Sequence, residues 1–363
     1  MSSNKPTTMA LVSDLCQNPG PFLSAYLDVS RNIDEAPHRL AVRWHSAAEE
    51  LLRSGAPADL VQLAGERMQT PVSAPGNVAR MIVAADDQIL LDDVVQRPHS
   101  PEVVTWSPLP DVTGWLADRS GLMPVLIVLA DREGADFEFY DPWPERLVNR
   151  DTAAGDTEHL TKVSAGGWSH KRYQRRAEET WRRNAEQVAE EIDHLVKAGV
   201  RVVAVAGDLR AQSEIRQAVS EATRSVLADL ETGGRAAGSS RQALDDAVDH
   251  MVREIVVADH RRVLDEFEQE LGRSGAAVRG VGEVLQKLIH GQVRTVLLSP
   301  EIAAAHEVSP SAYPGISLPS KAFDYERVRA DLAVTCAAAA TDAELIVAPS
   351  TITEDGVAAV LRW

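Results

Sequence analysis

The chain has 363 residues, 44% of them hydrophobic and 25% charged, and a formal net charge of −17, which leaves room for two or three domains and excludes a general DNA-coating protein, basic overall. No stretch reaches the roughly 20 apolar residues of a membrane span, and residues 1–11 lack the basic-then-apolar pattern of a secretory leader. The two cysteines, Cys16 and Cys336, lie far apart without metal-ligand spacing, so the expectation is a cytoplasmic protein without structural disulfides, zinc or cofactor.

In chain order, Phe22 to Val29 reads as a strand after the Asn-Pro-Gly-Pro turn. From His38 to Ser54 the apolar residues Leu40, Val42, Trp44, Ala47 and Leu51 recur at helical spacing. Val78 to Val83 and Gln88 to Val95 are expected as strands joined by the turn at Asp86-Asp87, after which Pro98, Pro101, Pro108 and Pro110 break up the chain. A boundary near Ala117 to Gly121 closes an N-terminal domain of residues 1–118.

The middle domain, residues 119–236, opens with the apolar strand Pro124 to Ala130, a turn at Asp131 to Gly134, and the partner strand Ala135 to Tyr140. The polar segment from Pro142 to Ser164 is expected as exposed loop. A long helix from Lys171 to Ala198 follows, closed by Gly199, with the apolar stripe Ala185, Val188, Ala189, Ile192, Leu195 and Val196 set to cover a sheet. Val200 to Ala206 reads as a buried strand and Gln212 to Asp229 as another helix. Gly233 to Ser240 is a linker to a C-terminal domain, residues 237–363. There, helical periodicity over Arg241 to Leu271 and Val278 to His290 alternates with strands at Val293 to Leu298, Asp342 to Ala348 and Gly356 to Leu361. The fold class expected is α/β, with an α/β sandwich at the C-terminus.

One run departs from the acidity of the whole: Gly166-Gly167-Trp168-Ser169-His170-Lys171-Arg172-Tyr173-Gln174-Arg175-Arg176. Adjacent glycines let a backbone enter a tight space, and Lys and Arg hold phosphates. The bland alternative is a solvated helix start. Cations there oppose the helix dipole, costing roughly 0.3–1 kcal/mol each at the surface, whereas a phosphate backbone alongside Lys171, Arg172, Arg175 and Arg176 would offset that cost. Trp168 and Tyr173 interleave with the cations as stacking on nucleotides requires. Screening over about 8–10 Å lets such a patch act apart from a distant acidic surface.

This run resembles the loop of the archaeal and eukaryotic class-1 peptide-chain release factors, where Gly-Gly-Gln-Ser precedes a helix start of the type Arg-Phe-x-Arg. Here Gly166-Gly167-Trp168-Ser169 is followed by Arg172-Tyr173-x-Arg175 in the same register. The order of elements around it and the three-domain layout resemble the release-factor and Pelota superfamily, most closely its bacterial branch of actinobacterial members and Balon-type hibernation factors. The resemblance implies a tRNA-shaped protein bound to the A site of the 70S ribosome. Gly166 to Trp168 would approach 23S rRNA at the peptidyl-transferase centre, Lys171, Arg172, Arg175 and Arg176 would hold rRNA phosphates, and elongation factor Tu would be a candidate delivery factor. Idle ribosomes under stress or dormancy are the implied target. Trp168 stands where the release factors carry the glutamine that places water on peptidyl-tRNA. An indole has one N–H donor and no amide carbonyl, so occupancy without peptide release is the expectation, and no catalytic residue is assigned.

Two alternatives stay open. Gln174, six residues beyond Trp168, or a backbone-positioned water would serve a peptidyl-tRNA hydrolase that rescues stalled ribosomes, and an acidic scaffold whose basic helix binds a protein is the third reading. Asp245, Asp246, Asp249 and His250 spread over different faces of a helix and are read as solvated rather than as a metal cluster. No phosphate loop or nucleophile elbow stands out. Arg182 and Arg183 are within reach of Glu178, Glu179 and Glu186 along the helix.

Overall fold

The computed structural model describes the chain from residue 7 onward, except for residues 32–35, 73, 75, 132, 146, 155–168, 235–239, 274, 350 and 351; for 152–154, 169–178, 180 and 181 only the backbone is described. The chain is mixed α/β and divides into two compact units, a terminal unit of Met1–Ser120 with Ala258–Trp363 and an inserted unit of Gly121–Val257.

The N-terminal half of the terminal unit runs α1 (Thr8–Cys16), β1 (Phe22–Asp28), α2 (Ala36–Arg53), α3 (Ala58–Gln69), β2 (Val78–Ala85), β3 (Gln88–Gln96), β4 (Val103–Ser107) and α4 (Thr113–Ser120). The strands form an antiparallel sheet in the order β3-β2-β1-β4. Because side chains alternate across a strand, β1 sends Leu23, Ala25 and Leu27 to a core with Leu40, Trp44, Leu51, Leu60 and Met68 of α2 and α3. Phe22 and Tyr26 join Val12 and Leu15 of α1 and Trp115 of α4 on the opposite face. With both faces covered, β1 is buried almost throughout, which is why it reads as a continuous apolar run. Of the helical stripe expected between His38 and Ser54, Val42 is the exception: it is exposed, and the core takes Leu40, Trp44 and Leu51. Gly65 permits α3 to lie close on α2, since a Cβ there would fall 2.2 Å from Nε1 of Trp44. Asp86 and Asp87 make the β2–β3 turn with φ of 45° and 65°.

The inserted unit comprises β5 (Val125–Ala130), β6 (Gly134–Tyr140), β7 (Leu147–Ala154), α5 (Ser169–Lys197), β8 (Val202–Gly207), α6 (Leu209–Ala218), α7 (Glu221–Arg224), β9 (Leu227–Asp229) and the first half of α8 (Arg241–Gly272). Its sheet has the order β7-β6-β5-β8-β9, antiparallel from β7 to β5 and parallel from β5 to β9. Two expectations are corrected here. The polar segment after Pro142 is not all loop: Leu147–Ala154 pairs with β6 as an edge strand, where one neighbour suffices and polar side chains face solvent. The helix expected over Gln212 to Asp229 is α6, the short α7 and strand β9, because Ser220 caps a new helical turn by accepting the Thr223 N–H. At the end of β8, Gly207 has φ +118°, and a Cβ there would fall 2.0 Å from the Ala130 carbonyl oxygen, so only glycine allows this approach.

The rest of the terminal unit contains the second half of α8, β10 (Ala277–Arg279), α9 (Val281–Ile289), β11 (Val293–Leu298), α10 (Pro300–Ala303), β12 (Glu307–Val308), β13 (Val328–Arg329), α11 (Ala330–Ala340), β14 (Glu344–Val347) and β15 (Val357–Leu361). The helix expected over Val278 to His290 is thus shorter, its start being strand β10, with Gly280 between them at φ +95°. The sheet order is β10-β15-β11-β14, with α9 and α11 on one face and Phe267 of α8 on the other. Within this unit the two halves of the chain interlock. Leu109 enters the core under α9 and α11, Ala339 of α11 enters the core of α1 and α4, and Arg329 donates to Asp111 at 2.6 Å and to Asp331 at 2.6 Å.

Candidate nucleic-acid interface

Ser169, His170, Lys171, Arg172, Tyr173, Gln174, Arg175 and Arg176 form the first two turns of α5. Gly166, Gly167 and Trp168 lie outside the described residues. The helix therefore starts two residues before the expected Lys171, at the serine that follows the tryptophan. No acidic residue occupies its first turn, so the cations sit where four unsatisfied backbone N–H groups already concentrate positive potential. A helix begun this way needs its stability from elsewhere.

That stability comes from its far end. Asn184, Ala185, Val188, Ala189 and Ile192 are buried, and the apolar members of this stripe form a core with Leu126, Val128, Phe137, Val203 and Val205 of the sheet and Ile215 of α6. Leu195 and Val196 pack at its margin, as their spacing predicts. Burying Ile192 alone is worth about 1.5–3 kcal/mol, enough to outweigh several opposed surface charges. Asp193 adds a polar pin: it accepts from the Ser220 hydroxyl at 2.9 Å and the Ser220 N–H at 3.1 Å. Burial works to raise the Asp193 carboxyl, but hydrogen bonds from Thr223 and Ser220 prevail and hold it below the usual range. Gly199, at φ +114°, ends the helix. From Ser169 to Asn184 the axis advances about 22 Å, so the basic turns and the anchored turns are distinct stretches of one rod. Arg182 meets Glu186 at 3.8 Å with both side chains exposed, a pair of little energetic weight.

The opposite face of the same sheet is held by a polar cluster that pattern reading missed. Glu138 of β6, only 4% exposed, accepts from Arg150 of β7 at 2.6 Å and from Arg241 of α8 at 2.6 Å. Arg241 also donates to the Tyr140 hydroxyl at 2.6 Å and to Asp245 at 2.8 Å. Burial pushes the Tyr140 phenol up. Trp143 stacks edge-on to Tyr140 and donates its indole N–H to Asp249 at 2.8 Å. The acids of the suspected cluster are thus dispersed: Asp245 binds Arg241, Asp249 binds Trp143, and His250 lies 3.4 Å from Glu254. Among the described residues no group of three or more His, Cys, Asp or Glu is placed to hold a metal ion. The sequence signal for the Glu138 cluster was an acid flanked by two aromatic residues, Phe137-Glu138-Phe139.

A small cleft of about 20 Å³ between α5 and α6, lined by Asp131, Asn184, Arg210 and Glu214, has room for little more than a water molecule. Of the described residues, no helix is long and apolar enough to cross a membrane.

The inserted α/β unit, with its basic start of α5, is the part of the chain that is similar to a known family. Residues 124–273, nearly the whole inserted unit and the remainder of α8, match the model of bacterial archaeo-eukaryotic release factor family 2. Along the full length the chain is similar to Rv2629 of Mycobacterium tuberculosis, an uncharacterized protein, with 27% identity covering 95% of this chain and 94% of that one. Among solved structures, the archaeal translation termination factor aRF1 aligns over 97% of this chain and 95% of its own, with 16% identity and a TM-score of 0.25. Pelota of Archaeoglobus fulgidus aligns over 79% and 84%, with 12% identity and a TM-score of 0.38.

Proposed function

We propose that this protein is a tRNA-mimicking translation factor that enters the A site of idle 70S ribosomes and occupies the peptidyl-transferase centre without releasing peptide. The observation that carries the reading is the cationic start of α5, free of acid in its first turn and reached through Gly166 and Gly167, inside the segment that matches the release-factor family. Lys171, Arg172, Arg175 and Arg176 hold phosphates of 23S rRNA, and the glycines let the backbone pass close to it. Trp168 and Tyr173 stack on bases or sugars.

Trp168 decides the chemistry. Release requires a group that donates to and accepts from the attacking water, and an indole only donates. Occupancy without cleavage fits protection of dormant ribosomes, and elongation factor Tu is the proposed delivery partner. Gln174 is five residues into α5, about 7.5 Å along the axis from Ser169, and is the side chain on which hydrolysis would rest, a backbone-positioned water being the other route.

The experiment is sedimentation of purified 70S ribosomes with the protein at rising salt, with and without elongation factor Tu, paired with a peptidyl-tRNA release assay. Expected are salt-sensitive co-sedimentation and no released peptide. Absence of association at low salt overturns the ribosomal reading and favours an acidic scaffold. Release that disappears in Gln174→Ala replaces occupancy with ribosome rescue.

A further inference from the structure

The terminal unit brings together the chain's two cysteines, which the sequence separates by 320 positions. Cys16 is the last residue of α1 and Cys336 lies in the middle of α11, and their sulfur atoms stand 2.7 Å apart. The two helices pack together through Val12, Leu15 and Ala339, so the approach is built into a core and not into a loop. Cys336 is fully buried among Ala333, Ala337 and Ala338, whereas Cys16 is partly exposed. Burial, reinforced by the neighbouring Cys16, pushes the Cys336 thiol well up. A free buried cysteine usually serves as a small apolar side chain, which accounts for either residue singly but not for two sulfurs meeting.

We propose that Cys16 and Cys336 are a redox-modification site, closed to a disulfide by thiol–disulfide exchange with a low-molecular-weight disulfide. Cys16, the accessible partner, loses its proton and attacks one sulfur of RS–SR; that bond breaks and RS⁻ leaves, taking up a proton. Cys336 then loses its proton and attacks the Cys16 sulfur of the mixed disulfide, releasing a second RS⁻ that is protonated in turn. Two protein thiols are oxidised and one RS–SR is reduced to two RSH. The sulfurs need to close by only about 0.7 Å to reach the ~2.05 Å bond. The product clamps the N-terminal half of the terminal unit to its C-terminal half and encloses the inserted unit in a covalent loop. This inference is independent of ribosome binding.

The test is the full-length reduced protein incubated with oxidised glutathione, quenched in acid, then denatured and alkylated. The expected product has no alkylatable thiol, an intact mass lower by two hydrogens, a Cys16–Cys336 cross-linked peptide, and full reversal by dithiothreitol. Proteolytic nicking between the cysteines should leave fragments joined on a non-reducing denaturing gel and separate on a reducing one. The oxidised form should also unfold at a higher temperature. In Cys16→Ala, Cys336 should stay unmodified in the folded protein, with circular dichroism checking the fold. Two thiols still alkylatable after incubation, a lasting glutathione adduct on Cys16 with Cys336 free, or a disulfide between two chains would each overturn the proposal.

Discussion

Two long helices of the inserted unit begin with cations, and they use them in opposite ways. At the start of α8, Arg241 is consumed within the molecule by Glu138, Tyr140 and Asp245. At the start of α5, Lys171, Arg172, Arg175 and Arg176 follow one another with no acid among residues 169–176. One cation fastens a helix to its sheet. The other four stand at the start of a helix whose later turns are fastened by Ile192 and Asp193.

The comparison predicts a ranked set of effects. Replacing Lys171, Arg172, Arg175 and Arg176 together by alanine should lower ribosome affinity on the order of 10³-fold at physiological salt and flatten the log–log salt dependence by roughly 3. The thermal midpoint should hold or rise, because charges opposed to the dipole are gone; sedimentation and calorimetry on one preparation separate the two. A fall in stability would mean these cations are structural after all. Ile192→Ala should do the reverse, destabilising the inserted unit by about 2–5 kcal/mol through the cavity it opens, with binding retained below the melting range; chemical denaturation reads it.

Glu138→Gln should cost about 2 kcal/mol, since one arginine keeps only an uncharged carbonyl oxygen to donate to and the other faces an amide N–H2 that cannot accept, and should leave the salt dependence of binding unchanged. The smallest effect concerns pH. The Asp193 carboxyl is held below its unfolded value, so its contribution is present above the unfolded pKa and lost as pH falls through the folded one, below about pH 4. Asp193→Asn should flatten that acid limb by lowering stability at neutral pH, where the carboxylate contributes, and leave stability below the folded pKa little changed.

Much of this architecture is legible from residue pattern. Strands β1, β2, β3, β5, β6, β8, β11, β14 and β15 announce themselves as short apolar or alternating runs, and α5 through an apolar stripe at helical spacing closed by Gly199. What stayed hidden had physical reasons. As an edge strand, β7 (Leu-Val-Asn-Arg-Asp-Thr-Ala-Ala) has little apolar patterning, and its order depends on pairing with β6 and on Arg150 reaching Glu138. Helix α11 is buried on all sides, so it shows no polar stripe against which an apolar one could be read.

By itself the sequence determined the glycine-basic run from Gly166 to Arg176, because it is a matter of residue identity and spacing along one stretch. The tertiary structure alone decided that Cys16 meets Cys336, that Arg329 bridges Asp111 and Asp331, and that residues 1–120 and 258–363 share one unit. Contacts between such distant positions arise from helices packing over common cores, and no local pattern encodes them.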